Sequence, residues 1–259
     1  MPNIHATAII GEHARIHPSV KIGPYCIVDD GAMIGADCVI DSHARIYPPV
    51  RMGTGNRVCH GVTLGSEPQD LGYSIEKAKP LTIGNNNHFK EYVNISGGIK
   101  EDHGTVIGNN NYLMTYTHIG HDCVIGDHNI FAPNAAVGGH VEIDHHVFLS
   151  GHVAVHQFCR IGAYVMIGGV SGVRQDIPPY CMANGQYAHY IGLNLVGLKR
   201  NGFDQKQRSA IKHAYQTLFH CGLKRGEALA QIQAKASSPE EQAIIDFVTQ
   251  AKRGLISAE

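Results

Sequence analysis

The sequence predicts a mainly β protein: a parallel β-helix built from six-residue units, followed by a small α-helical bundle. Three observations carry that prediction. Ile107, Leu113, Ile119, Ile125, Phe131, Val137, Ile143, Leu149, Val155, Ile161, Ile167 and Val173 recur every sixth residue without a slip. The same spacing runs from Ile4 through Ile10, Ile16, Ile22, Val28, Ile34, Ile40, Ile46, Met52 and Val58 to Leu64. From about Ile191 the apolar spacing changes to a helical one.

A six-residue period is a short strand plus a turn. Three such units make one triangular coil of about 18 residues, and coils stack at ~4.8 Å. The first position of each unit points inward, and each aliphatic buried there is worth roughly 1.5–3 kcal/mol. The fifth position wants a small side chain, such as Ala8, Cys26, Ala44, Cys123, Ala135, Cys159 or Ser171, with Asn56 as a polar exception. Thirty glycines suit a chain that turns this often. The repeat begins at Ile4, so no separate N-terminal domain is expected. The β-helix is assigned to residues 1–190 and the helical domain to residues 191–259.

Two breaks in register predict loops, at about residues 65–82 and 96–106. The first contains Glu67-Pro68-Gln69-Asp70-Leu71-Gly72, and the second contains Gly97-Gly98. Leu64 and Ile83 are 19 residues apart. That is one more than a coil, which predicts a coil with a loop bulging from one edge. Loops leaving a rigid scaffold are where binding groups gather. In the helical part Asp204 is placed to cap a helix with Gln207 three residues on. Ile211, Tyr215, Leu218 and Phe219 line one face of that helix, and Gly222 suits its stop. A second helix is expected over about 225–236. A third opens at Ser238-Pro239-Glu240, with Ile244, Phe247, Val248 and Ala251 on its apolar face. The bundle would close the exposed end of the last coil.

Totals narrow the function. A net charge of −1 and a pI near 7 do not suit a nucleic-acid binder. No apolar run approaches the ~18 residues of a membrane span. The first residues carry no basic-then-apolar signal segment, so a cytoplasmic protein is expected. The seven cysteines contain no Cys-x-x-Cys pair and read as small buried hydrophobes in a reducing compartment.

The coil period also predicts a site. Residues 18 apart stack, so His121 lies against Gly139, and the column continues to Gln157. Asp122 stacks with His140, and His140 with Phe158. His121, Gly139, His140, Gln157 and His156 are therefore expected on one patch. A neutral imidazole takes a proton near pH 7. A glycine one tier away lets a backbone N–H approach an oxyanion, and Asp122 can orient the ring. That is the equipment for acyl transfer to a hydroxyl. A zinc reading rests on His140 and His145, five apart. It needs a third histidine two coils back, where Gly104 and Asn109 stand instead. No metal is expected.

Several segments are specific. They are His118-Ile119-Gly120-His121-Asp122-Cys123, Gly138-Gly139-His140, Ala154-Val155-His156-Gln157-Phe158-Cys159, Gly168-Gly169-Val170-Ser171-Gly172-Val173, Gln175-Asp176-Ile177-Pro178-Pro179-Tyr180, Gln69-Asp70-Leu71 and Gly197-Leu198-Lys199-Arg200. With them the chain resembles, over nearly its whole length, the acyl-carrier-protein-dependent UDP-N-acetylglucosamine O-acyltransferases that begin lipid A synthesis. The resemblance implies a left-handed coil, a hand that the residues themselves do not set. It also implies a homotrimer with sites between subunits, and transfer of an R-3-hydroxyacyl group from acyl carrier protein to the glucosamine 3-hydroxyl, with no cofactor. His121 matches the general base, Asp122 its partner, and the Gly139 N–H the oxyanion donor. Gln69, Asp70, His118, His140, His156 and Gln157 match the sugar and thioester site. Asn194 and Arg200 match the nucleotide end, where a guanidinium suits a diphosphate. Gly169, with Met166, matches the acyl-chain channel, and a glycine there leaves room for a long chain.

The chain also departs from the family pattern. Ser96-Gly97-Gly98 stands for the usual His-Arg-Gly, Val196 for Glu, Asn201 for a second Arg, and Gly72 for a common Lys. These departures leave a 3-amino analogue open beside UDP-N-acetylglucosamine as acceptor. Two other readings compete. One is the later N-acyltransferase or an acetyl-CoA enzyme, though that N-acyltransferase carries an extra N-terminal uridine-binding domain. The other is a non-catalytic or metal-binding β-helix.

Overall fold

A computed structural model of the chain describes residues 3–258. Short strands, most of two residues, alternate with turns and assemble into three sheets of eleven, nine and eight strands, parallel except for the last strand of the first. The first face is the eleven-stranded one, the second the nine-stranded, and the third the eight-stranded. Successive coils pair 18 residues apart, as in Ile119 with Val137 and Val137 with Val155. The inward ladder from Ile107 to Val173 is buried throughout. At the N-terminal end Ile4, Ile10 and Ile16, in the first coil of the described residues, are only partly covered.

The fifth positions hold more than small apolar groups. Asn56, Asn87, Asn111 and Asn129 form a buried ladder up four coils. Each Oδ1 accepts the backbone N–H of the next member: Asn87 N–H to Asn56 at 2.9 Å, Asn111 to Asn87 at 2.9 Å, Asn129 to Asn111 at 2.8 Å. The ladder ends where Val147 donates its N–H to Asn129 at 2.7 Å. Each amide thus satisfies backbone groups inside the coil that an alanine would leave to water or unpaired. Five of the seven cysteines are buried as expected, whereas Cys59 is only partly buried and Cys221 is exposed. Burial pushes the Cys123 thiol up to about 12 and that of Cys159 to about 11, which keeps both protonated.

Many corners need a left-handed residue. Asp122 (φ 57°), His140 (φ 58°) and Phe158 (φ 66°) form one such column, and His128, His146 and Tyr164 another. Asp, Asn and His tolerate this region better than most residues. Part of the histidine richness of the chain therefore belongs to turn geometry.

The first loop corrects the coil count. Met52 pairs with Ile83, and Leu64 with Ile95, each 31 residues apart instead of 18. Leu64 and Ile83 thus sit on adjacent faces of one coil, and the loop is a 13-residue insertion at one corner, not a bulge on a full coil. The second insertion is shorter. Ile95 pairs with Ile119, 24 apart, so it adds six residues. Both insertions leave the corner between the second and third faces. That is the corner at which His121 and Asp122 sit, in the coil just above the second insertion.

The C-terminal part differs from the expectation in two ways. The sheet continues through a hairpin, Cys181–Asn184 with His189–Leu193, so helix begins later than Ile191. A short helix α1 (Leu195–Arg200) then precedes α2 (Gln205–His220), α3 (Arg225–Lys235) and α4 (Pro239–Thr249). Asp204 and Gln207 form the capping box on α2, and Ser238 with Glu241 caps α4. The end of the β-helix is covered by stacking of Tyr190 on Tyr215 and Phe219, and by the Tyr215 hydroxyl donating to Pro179 O at 2.5 Å. The chain after α4 shares the task. Asp176 pairs with Leu255, and its carboxylate accepts the N–H groups of Arg160, Lys252 and Arg253.

Candidate active site

His121 follows the strand His118–Ile119 of the second face, and its side chain lies along the corner. It is 8% exposed and Asp122 is 2% exposed. His121 Nδ1 is 2.7 Å from Asp122 Oδ2. A carboxylate only accepts, so Nδ1 carries a proton, and in the neutral ring Nε2 is the acceptor. Asp122 itself is held hard. Its Oδ1 accepts the N–H groups of Ile99, Lys100 and Glu101 at 3.0, 3.1 and 3.0 Å, and its own N–H donates to Thr105 Oγ1 at 2.9 Å. Burial opposes its charge. The His121 contact and the three amides outweigh that, and its carboxyl is held below the usual range. The second loop therefore wraps the aspartate that orients the ring.

Gly139 stands one coil on, and its place is set by the imidazole. A Cβ there would meet His121 Nε2 at 2.7 Å and Cε1 at 2.8 Å, so any other residue would displace the ring. The neighbouring amides of the column are committed: His140 N–H donates to His121 O at 2.9 Å, and Phe158 N–H to Gly139 O at 3.1 Å. Among the described residues the Gly139 N–H donates to no backbone oxygen of the coils. A bare amide thus lies beside a base with its lone pair free.

Other expected members are gathered unevenly. Asp70, from the first loop, brings Oδ2 to 3.9 Å from His121 Nε2. Its carboxyl is held low, first by the Gly72 N–H and then by Lys100. His140 packs edge-on to His121 with ring centres 5.1 Å apart, and stacks on Phe158 at 4.5 Å. Its Nδ1 is 3.4 Å from Glu101 Oε1, and its buried Nε2 is 3.8 Å from Asp122 Oδ2 without a hydrogen bond. Desolvation lowers its pKa, and that of His118. His118 points outward from its strand, with Nδ1 2.7 Å from Asn94 Oδ1. Gln157 lies on the next coil and is exposed, as is Gln69 in the first loop. His156 turns away: its Nδ1 is 3.0 Å from Gln157 O and 3.3 Å from the Arg253 guanidinium.

By distance alone, His121, Asp122 and His140 could share a cation, with ligand atoms within 4.8 Å. The donor set argues otherwise. Asp122 already faces three inward-pointing amides and the His121 N–H, which a cation would oppose.

The remaining expected residues lie elsewhere. Met166, Asn194 and Arg200 line a cleft of about 720 Å³ on the first face, with Tyr112, Ile130 and Phe148. None of the residues around His121 lines it. Asn194 caps α1: its Oδ1 accepts the Gly197 N–H at 3.0 Å, and its Nδ2 donates to Tyr164 O at 2.9 Å. Gly169 is exposed, and a Cβ there would meet nothing nearer than Gly151 O at 3.5 Å. Sequence reasoning missed Lys100, Glu101 and Thr105. Gly97-Gly98 signalled the loop, but only the six-residue length of the insertion tells which corner it covers.

Comparison with known proteins identifies one family. A family model described as UDP N-acetylglucosamine O-acyltransferase, domain 2, matches residues 176–256, and one for bacterial transferase hexapeptide repeats matches residues 104–139. The acyl-[acyl-carrier-protein]–UDP-N-acetylglucosamine O-acyltransferase of Neisseria meningitidis is 47% identical over 258 residues, covering 99% of this chain and all of that one. The enzyme of the same name from Thiobacillus denitrificans is 42% identical over 262 residues, with coverage of 99% and 100%. Among solved structures, LpxA from Acinetobacter baumannii superposes with a TM-score of 0.95 at 41% identity, over 98% of this chain and 99% of that one. The UDP-N-acetylglucosamine acyltransferase of Francisella novicida gives 0.96 at 35% identity, over 98% and 94%.

Proposed function

The chain belongs to the UDP-N-acetylglucosamine O-acyltransferase family, and from that premise we propose that it moves an R-3-hydroxyacyl group from acyl carrier protein to the glucosamine 3-hydroxyl of UDP-N-acetylglucosamine, the first step of lipid A synthesis. One observation carries the chemistry: His121, its Nδ1 tied to Asp122 at 2.7 Å, packs so closely on Gly139 that a Cβ there would meet its Nε2 at 2.7 Å. Nε2 takes the proton of the sugar hydroxyl as its oxygen attacks the thioester carbon. The new C–O bond forms, and the tetrahedral oxyanion accepts the Gly139 N–H. The C–S bond then breaks, and Nε2–H returns the proton to the leaving thiolate. No covalent enzyme intermediate is required. No resident cofactor is required either, since the thioester brings an activated acyl group.

The two halves of the expected site are on different faces of one chain. Arg200 and Met166 line the first-face cleft, whereas His121 lies at the corner of the second and third faces. A closed ring of three copies would set the cleft of one against the corner of the next. In that arrangement Arg200 meets the diphosphate, Asn194 shapes the loop end that carries it, and Met166 and Gly169 border the acyl chain. Exposed Lys199 and Arg200 would favour an acidic carrier protein. On this reading the enzyme works in the cytoplasm; among the described residues no helix is long and apolar enough to cross a membrane.

The test is a transfer assay with purified acyl carrier proteins of several chain lengths, against UDP-N-acetylglucosamine and its 3-amino analogue. Acylation of the 3-hydroxyl is expected. Acylation of the amine alone would shift the acceptor, and acylation of neither would overturn the proposal.

A further inference from the structure

Lys100 touches both carboxylates that flank His121. Its backbone N–H donates to the two oxygens of Asp122, at 3.1 and 3.3 Å. Its ammonium lies 3.0 Å from Asp70 Oδ2. That same oxygen is 3.9 Å from His121 Nε2, the atom that must remain unprotonated to act as a base. The other oxygen of Asp70 accepts the Gly72 N–H at 2.7 Å. Gly72 offers no side chain, so the cation beside Asp70 comes from the second loop instead of the first.

We infer that Lys100 is a positioning residue that keeps Asp70 beside the imidazole without letting the two close into an ion pair. The inference rests on the reading of His121 as general base. A free carboxylate within reach of Nε2 would favour the imidazolium, and an imidazolium cannot take a hydroxyl proton. With Lys100 in place, Asp70 is neutralised by a cation that needs no proton from the ring. Nε2 then faces no unpaired second carboxylate. The other groups facing His121 are Asp122 on Nδ1, His140 edge-on at 5.1 Å, and His118, with Glu101 behind His140. A substitution at residue 100 leaves all of them in place. The Lys100 side chain is 56% exposed, so its removal opens no cavity, and its backbone contact to Asp122 survives.

The experiment compares pH profiles of kcat/KM for the wild type, Lys100→Ala, Lys100→Arg and the double variant Lys100→Ala/Asp70→Asn, with thermal melts of each. In Lys100→Ala the acidic limb should move up by about one pH unit, giving roughly tenfold less activity well on its acidic side, about threefold less at pH 7, and recovery above pH 8. Lys100→Arg should retain the wild-type limb. Removing the Asp70 charge in the double variant should bring the limb back, whatever the loss of rate. A Lys100→Ala limb coincident with wild type overturns the inference, as does a loss of rate that is the same at every pH. NMR titration of the His121 ring needs no substrate and should show the same upward displacement. A wild type that transfers nothing sinks the functional reading, while the ring titration still decides whether Lys100 governs the charge of His121.

Discussion

All three corners of the β-helix carry histidine at left-handed backbone, His43 and His152 among them at the corner between the first and second faces, and a comparison of the other two shows why only one carries the equipment of a base. At the corner between the third and first faces, His128, His146 and Tyr164 stack at 4.8 Å intervals. His145 Nδ1 meets His146 Nδ1 at 2.9 Å, and Asp144 is 3.8 Å from His145 on an exposed edge. At the corner between the second and third faces, the column is Asp122, His140 and Phe158, with the same φ and a similar stacking distance. The difference lies in what surrounds the rings. Both insertions of the chain hang from the second corner, and three loop amides charge Asp122 against burial. A glycine stands where a Cβ would strike the imidazole. Histidine density therefore marks the turn. A carboxylate with fixed partners and a missing side chain marks the site.

The comparison can be broken most sharply at His121. His121→Ala should lose about 10²–10⁴ in kcat while its circular dichroism spectrum still reports the native fold. His145→Ala, at the other corner, should retain wild-type turnover. Equal losses in both would mean that the corners are not distinct. Gly139→Ala comes next. Its methyl would push the ring out of place, and a displacement of about 1 Å at a reacting group costs on the order of 10² in rate. Little change in kcat would show that the close approach of ring and glycine is unimportant.

Asp122→Asn sharpens the energetic side. The folded carboxyl is held below its unfolded value, so its contribution is present above the unfolded value of about 4. That contribution is lost as pH falls through the folded one. At pH 7 the variant should be less stable by about 1–3 kcal/mol, and the gap should close as the medium is acidified through that window. Denaturant melts from neutral to acidic pH measure it, and a gap independent of pH would contradict the account. The smallest effect is expected at Gly169, where a side chain fits without clash. Gly169→Met should fold normally and shift preference among acyl carrier proteins to shorter chains, by about tenfold or more in the kcat/KM ratio.

The coil was legible because one period governs one inward column, and Ile107 to Val173 repeats it twelve times without exception. The same arithmetic placed His121 against Gly139 and His140 against Phe158. It misled at Leu64 to Ile83, since a gap near 18 imitates a coil while the strand partners show a 13-residue insertion. The wrapping of residues 99–101 on Asp122 was invisible, because hydrogen bonds from loop amides leave no trace in residue type. His156 has the spacing of a site residue, and what the spacing did not reveal is its contact with Arg253, nearly a hundred residues away, at 3.3 Å. Helix α1 was missed because six residues hold too few turns to display a period, and Asn194, which caps it, was read only as a match to the nucleotide end.

The central claim is that His121 is the group whose proton limits transfer. Its most direct measurement is the pH dependence of kcat/KM for the wild type beside the residual rate of His121→Ala. The wild type should rise with unit slope through the imidazole range, and the residual rate should be flat there. A residual rate that keeps the same rise would assign the base to another residue and contradict the account.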